Sequence, residues 1–289
     1  MPLNIDYKKF THEEHVLKLP DTYIGSTSLN TEQLWIIEDD KMIIKEVSYI
    51  PGEFKLFDEL IVNSLDQYTR IKESYDPHLS PVKHIKITTN KETGEISVYN
   101  DGEGIKIEMN EDGKYIPELI FGDLLTSSNY NFDELKHVGG KNGYGAKLTN
   151  IFSSKFTIET VDNHSRKKFT MTFYDNKTRK DKPTIKLYKS KPYTKITYTP
   201  DYKRFGSQGL TDAMNSLMMK RAYDLAACTD ASVQVHFNDM KLNCRTFESY
   251  INFYIDDKKD AYRVYEKYSD RWEICAMLSH TLSFEQVSF

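Results

Sequence analysis

Cysteine is scarce in this chain. Cys228, Cys244 and Cys275 are the three present in 289 residues, far apart and odd in number. They fit reduced thiols and speak against a disulfide framework or a cysteine-built zinc site. No apolar run approaches the roughly 18 residues a membrane-crossing helix needs. Met1 to Phe10 lacks the apolar core of a signal peptide. A soluble, intracellular protein with no membrane partner is therefore expected. Low-complexity tracts are also absent, and 20 Tyr with 15 Phe in a 39% hydrophobic chain argue for a packed core of one large or two ordinary domains. Two common site motifs are missing as well. His12 and His15 lie three apart around two glutamates, not four apart as on a zinc-protease helix, and read as a solvated pair. Gly145-Ala146-Lys147 lacks the Gly-Lys-Ser/Thr ending of a Walker A loop, and no buried strand precedes it.

Charge of one sign is concentrated rather than absent. The net charge is −4, yet the window from His164 to Arg204 holds thirteen Lys or Arg against Asp175, Asp181 and Asp201. That window is +10 and the remainder −14. The asymmetry suits a polyanion partner such as a nucleic acid, and it equally suits solvated strand faces and hairpin turns.

What is present centres on Phe57 to Gln67. Read as a helix within a longer one of about residues 53–73, it stacks Glu59, Asn63 and Asp66 on one face at i, i+4 and i+7. Leu60, Ile61, Val62 and Leu65 are left to bury the rest. A carboxylate one turn from a carboxamide suits a hydrated Mg²⁺, which takes few protein oxygens, or a water held for attack on a phosphoryl group. A polar stripe on an amphipathic helix is the plain alternative.

Two further clusters follow. Residues 83–89 and 95–99 alternate as antiparallel strands, and the second runs into Asn100-Asp101-Gly102-Glu103-Gly104. An acid before G-x-G at a strand end gives a tight turn that lets backbone approach a planar ligand, or simply a loop. Then Thr126-Ser127-Ser128-Asn129-Tyr130 leads to Gly139-Gly140-Lys141-Asn142-Gly143-Tyr144-Gly145-Ala146-Lys147. Four glycines in seven positions before a helix-forming run make an anion nest at a helix N-terminus.

Elsewhere the pattern predicts strands at 33–37 and 42–47, a helix from Pro117 to Leu125, four β segments between 156 and 199, a helix at 210–227 and a hairpin around Asn238-Asp239. Residues 1–30 read as an arm, with Asp21 to Ser26 an extended strap after Pro20. Phe247 to Ile255 reads as a helix and 256–270 as a charged link. A strand follows from Trp272 to Leu278, and the end at Phe289 suggests a fragment or a boundary.

In order, E-x-x-x-N, D-G-x-G and a glycine-rich lid resemble the GHKL ATPase family with its Bergerat ATP-binding fold. Pro20 to Ser26, Leu124 to Tyr130, Asn142 to Leu148, Arg221-Ala222-Tyr223-Asp224 and Arg271 to Cys275 resemble eukaryotic-type (type IIA) DNA topoisomerase II over nearly the whole chain. The resemblance implies an α+β fold, a Bergerat (GHKL) sandwich of a mixed, mostly antiparallel sheet with helices on one face. It implies an arm over 1–30, the ATPase domain over 31–243 and the beginning of a transducer domain over 244–289.

It also implies ATP and Mg²⁺ as cofactors, a homodimer closing around duplex DNA, and residence in the nucleus of a eukaryote or in the host cell or virion of a large DNA virus. Glu59 would be the general base and Asn63 the Mg²⁺ ligand. Asp101 would accept from the adenine amine, with Asp66 and Gly104 lining the nucleotide site. Ser127, Ser128 and Asn129 would touch ribose and phosphate. Lys141, Asn142, Gly143, Tyr144, Gly145 and Ala146 would wrap the triphosphate, with charge from Lys147. Tyr23 would reach the partner subunit's nucleotide, and Gln67 stands where relatives have Asn. A γ-phosphate lysine and the DNA-cutting tyrosine are expected beyond Phe289, so weak hydrolysis and no strand passage are expected of these residues by themselves. A non-hydrolysing dimerisation module, a mismatch-repair-type clamp and a simple DNA-binding module remain the alternatives.

Overall fold

The computed structural model describes residues 9–124, 143–255, 262–269, 272–278 and 284–288. The N-terminal part runs α1 (His12–Lys18), α2 (Asp21–Ile24), β1 (Asn30–Glu38), β2 (Lys41–Tyr49) and α3 (Pro51–Ser74). Next come β3 (His84–Asn90), β4 (Glu95–Asp101), α4 (Ile116–Gly122) and α5 (Gly145–Ile151). A run of strands follows: β5 (Ser153–Val161), β6 (Lys167–Tyr174), β7 (Arg179–Lys180), β8 (Thr184–Leu187) and β9 (Tyr193–Pro200). The chain then forms α6 (Asp212–Ala227), β10 (Gln234–Phe237), β11 (Met240–Lys241), α7 (Phe247–Ile251) with a 3₁₀ turn (Asn252–Tyr254), β12 (Arg263–Ser269) and β13 (Trp272–Met277).

Nine strands form one sheet in the order β11-β10-β3-β4-β9-β5-β6-β7, with β8 also on β6. Every pair is antiparallel except β10 with β3, so the α+β, mostly antiparallel sandwich is observed. Period-2 alternation decides the faces. Ile85, Ile87, Ile96, Val98, Phe156, Ile158, Phe169, Met171 and Ile196 are buried on one face. There they meet α3, α4, α5 and α6. The opposite face carries Lys86, Thr88, Tyr99, Thr157, Lys195 and Thr197, all exposed or half-buried.

Helix α3 is the spine. Pro51 sits in its first turn, where a missing N–H costs nothing, and Leu56, Phe57, Leu60 and Ile61 are buried along one stripe. Asp58 binds Arg221 of α6 at 2.7 Å, and Thr149 Oγ1 of α5 donates to the Leu56 carbonyl at 3.0 Å. The Arg221 to Asp224 stretch thus clamps helices together: Tyr250 Oη donates to Asp224 at 2.6 Å.

Three expectations change. Asp21–Ile24 is helical, not an extended strap: α1 does stop before Pro20, at Leu19, but Pro20 then serves as the N-cap of a second short helix. The arm is not peripheral over its described part, since Val16 and Ile24 are in the main core and Lys177 pairs with Glu13 at 2.5 Å. The charged link contains strand β12, paired with β13. At the other side of the expected domain boundary, Tyr250 and Ile255 are buried, and Trp35 of β1 packs edge-on against Tyr254 with ring centroids 4.9 Å apart. Among the described residues no helix is long and apolar enough to cross a membrane.

Candidate functional site

Between α3, the N-terminal turn of α5 and strands β4 and β9 lies a cleft of about 200 Å³. Glu59, Asn63 and Asp66 line it from α3, and Gly143, Gly145, Ala146 and Lys147 line it from the α5 side. The first and third sequence clusters therefore meet in one place. A larger hollow of about 440 Å³ lies beside Asp40, Asn243 and Arg245, but it has neither the carboxylate–carboxamide turn nor the glycines. Chemistry, not size, selects the cleft.

Glu59 sits against α5. A Cβ built on Gly145 would lie 1.9 Å from Glu59 Oε2, so only glycine lets the carboxylate rest at this helix start. Its other oxygen, Oε1, accepts from Lys55 Nζ at 2.6 Å. Lys147 is 2% exposed and its Nζ donates to the Gly143 carbonyl at 2.5 Å. Burial pulls its pKa down to about 8, with the nearby Asp123 acting the other way. At neutral pH it remains a cation aimed along the glycine turn.

Asp101 is not where it was expected. Its Oδ1 accepts from the backbone N–H groups of Lys83 at 2.6 Å and His84 at 2.8 Å, on the sheet's other side, and it does not line the cleft. Asn100 does. Asn100 is 7% exposed and pairs in register with Thr194 of β9, as Val98 pairs with Ile196, and all four line the cleft. Its Nδ2 donates to the Asp101 carbonyl at 2.9 Å, which leaves Oδ1 as an acceptor toward the cleft. Alternation from Ile96 and Val98 could have identified it.

Gly104 is also outside the cleft. At φ +74° its missing side chain would collide with the Val161 carbonyl at 1.9 Å, so it serves backbone packing against β5. Tyr23 packs on its own chain: its Oη bonds His15 Nδ1 at 2.8 Å and its ring lies 6.4 Å from that of Tyr144. Gln67 lines the cleft, as do Ser64 and Arg70, which sequence reading did not single out. Ser127, Ser128, Asn129, Lys141 and Asn142 lie outside the described residues.

A carboxylate, a neighbouring carboxamide, a buried cation and a glycine-opened helix start, on one face of a mostly antiparallel sheet, are features of the GHKL ATP-binding fold. No family model matches the chain. The ATPase region of Saccharomyces cerevisiae topoisomerase II superposes with a TM-score of 0.86 at 41% identity, covering 93% of this chain and 70% of that one. The ATPase and transducer domains of DNA topoisomerase II from Balamuthia mandrillaris give 0.84 at 40% identity, covering 93% and 67%. A probable DNA topoisomerase 2 of Dictyostelium discoideum is 46% identical over 98% of this chain, which spans 18% of that relative's length. The chain belongs to the eukaryotic DNA topoisomerase II family and corresponds to its N-terminal ATPase region.

Proposed function

We propose that the cleft binds Mg-ATP, that Glu59 drives its hydrolysis, and that the chain is the ATP-operated gate of a DNA topoisomerase II. The observation that carries this reading is Glu59 at the Gly145 turn, one helical turn from Asn63 in the same cleft. With Oε1 engaged by Lys55, Oε2 is the oxygen that takes a proton from the attacking water. Gly143 to Lys147 receives the phosphates, and the Lys147 ammonium balances their charge. Asn100 Oδ1, rather than Asp101, accepts from the adenine amine.

Asn63 would hold Mg²⁺ through its carboxamide oxygen. Among the described residues no three His, Cys, Asp or Glu gather to hold a metal, which suits an ion ligated mostly by water and phosphate. Such an ion, when bound, neutralises charge on the phosphates. Ser127, Ser128, Asn129, Lys141 and Asn142 would complete the nucleotide site, as the family resemblance implies.

The same reading assigns the ATPase unit to residues up to Ile255 and gives the β12–β13 hairpin to the start of a transducer. Two copies would close on nucleotide around duplex DNA, with Tyr23 near the seam and the glycine turn, in a eukaryotic nucleus. The test is Glu59→Gln. Calorimetry with a non-hydrolysable Mg-ATP analogue should show unchanged affinity, while single-turnover phosphate release falls by about 10²–10⁴. Unchanged turnover would point to a non-hydrolysing dimerisation module, and no binding heat in the native chain would remove the nucleotide site altogether.

A further inference from the structure

The +10 window resolves into two groups once its partners are known. Toward β7 the cations are engaged: Lys177 with Glu13 at 2.5 Å, Lys180 with Glu118 at 2.9 Å, and Arg179 with Asp175 at 3.6 Å. Across the face of the sheet that bears no helices, the cations are differently placed. Lys86, Lys195 and Lys186 share that face by register, through Lys86 opposite Tyr99, Tyr99 opposite Lys195, and Lys168 opposite Lys186. Lys189 and Lys191 follow Tyr188, whose N–H bonds the Arg166 carbonyl at 2.8 Å and so holds them at the same edge. None of these five lysines has a carboxylate of a described residue within ion-pair reach, whereas Lys168 binds Glu159 at 2.6 Å.

Acidic groups on this side are already committed. Glu159 is held by Lys168 and by Tyr193 Oη at 2.6 Å, with Lys195 opposite it in register and within its field. Asp101 accepts from the Lys83 and His84 N–H groups, and Asp162 accepts from Ser165 Oγ at 2.6 Å and the His164 N–H at 3.0 Å. Tyrosines are interleaved: Lys86 lies 5.7 Å from the Tyr99 ring, and Lys168 lies 5.4 Å from that of Tyr188. From β3 to β8 the face crosses five interstrand steps, about 24 Å at the usual spacing. Phosphates recur about every 3.4 Å along each strand of a duplex, so roughly seven base pairs match that width.

We infer that this open sheet face, from Lys86 through Lys195 and Lys186 to Lys189 and Lys191, is a docking surface for duplex DNA that works without nucleotide. It rests on the DNA-directed reading above and adds a place to it. Contacts are to phosphates, so binding is sequence-independent and steep in salt.

The test compares the native chain with K186E/K189E/K191E and, as a control of equal charge change, K45E/K91E/K106E. Anisotropy of a short labelled duplex is followed against salt with no nucleotide present. Three lost phosphate contacts should lower the slope of log affinity against log salt by about 2.7 or more in the first variant, and leave it near native in the control. Equal slopes in both variants overturn the proposal, as does native protein that fails to bind the duplex at low salt. Calorimetry with the Mg-ATP analogue on the same proteins separates the two readings. Retained heat with no DNA binding sinks the surface alone, whereas absent heat sinks the nucleotide site.

Discussion

Gly145→Ala should disable hydrolysis without disabling the fold. The added Cβ would stand 1.9 Å from Glu59 Oε2 and 2.9 Å from Cδ, where ordinary contact begins at 3.4 Å. The carboxylate must therefore withdraw by about 1.5 Å, the difference between contact and clash. A displacement of about 1 Å in a catalytic group can cost about 10²-fold, or roughly 2.7 kcal/mol of barrier. The backbone at Gly145 is within a helix, so alanine is permitted there and gains up to about 1 kcal/mol of helix propensity. The clashing atoms belong to the end of a flexible side chain, so Tm should move little. Single-turnover phosphate release should fall about 100-fold while analogue binding stays within a few-fold. In a Glu59→Gln background the same glycine change should cost almost nothing more, because both act on one group. Near-native turnover in Gly145→Ala, or full additivity in the double variant, would refute the placement of the base.

Four other outcomes follow from named contacts. Asn63→Ala should flatten the Mg²⁺ dependence of ATP affinity, read by calorimetry with and without the metal. Affinity for ATP should decline as pH rises past about 8, where Lys147 loses its charge, and Lys147→Arg should hold affinity to higher pH. Asp101→Ala should lower Tm by stranding the Lys83 and His84 N–H groups, at about 1–3 kcal/mol each, and leave ATP affinity near native; Asn100→Ala should do the reverse, weakening ATP more than it lowers Tm. Burial raises the Glu53 carboxyl to about 7, so the folded state holds its proton more tightly than the unfolded chain. Stability should then fall by about 3 kcal/mol as pH rises from about 4.5 to 7 and level off above, and Glu53→Gln should remove that slope in urea titrations.

The spine of the fold was legible because its signals are local. Pro51-Gly52 punctuates the start of α3 and the 3.6-residue stripe of Leu56, Leu60 and Ile61 continues it, so Glu59 and Asn63 fall on the cleft face as expected. The β3–β4 hairpin was equally plain. What failed was reading face and partner across distance. Asn100-Asp101 looked like the start of a loop, yet β4 runs through Asp101 and its alternation turns Asn100 inward and Asp101 out. Pro20 was rightly read as ending the helix before it, but its context gave no hint that the four residues after it would pack as a helix against α3. The parallel union of β10 with β3 joins residues about 150 apart in sequence and has no local signature at all.

Charge shows the same divide between sum and arrangement. The basic window could be totalled from composition, but pairing decides which cations remain available, and pairing is tertiary. Asp58–Arg221 is the instructive case. A partly buried ion pair contributes little net stability once desolvation is counted. Placed immediately before Glu59, with Thr149 bonded to the Leu56 carbonyl on the neighbouring turn, it instead locks the rotation of α3 against α6 and α5. A helix turned by one residue would swing its side chains by about 100° and take Glu59 out of the Gly145 turn. The cleft's geometry is therefore set partly from outside it: a hydroxyl and an ion pair fix the helix, and the missing methyl group of Gly145 in the cleft wall leaves room for one carboxylate.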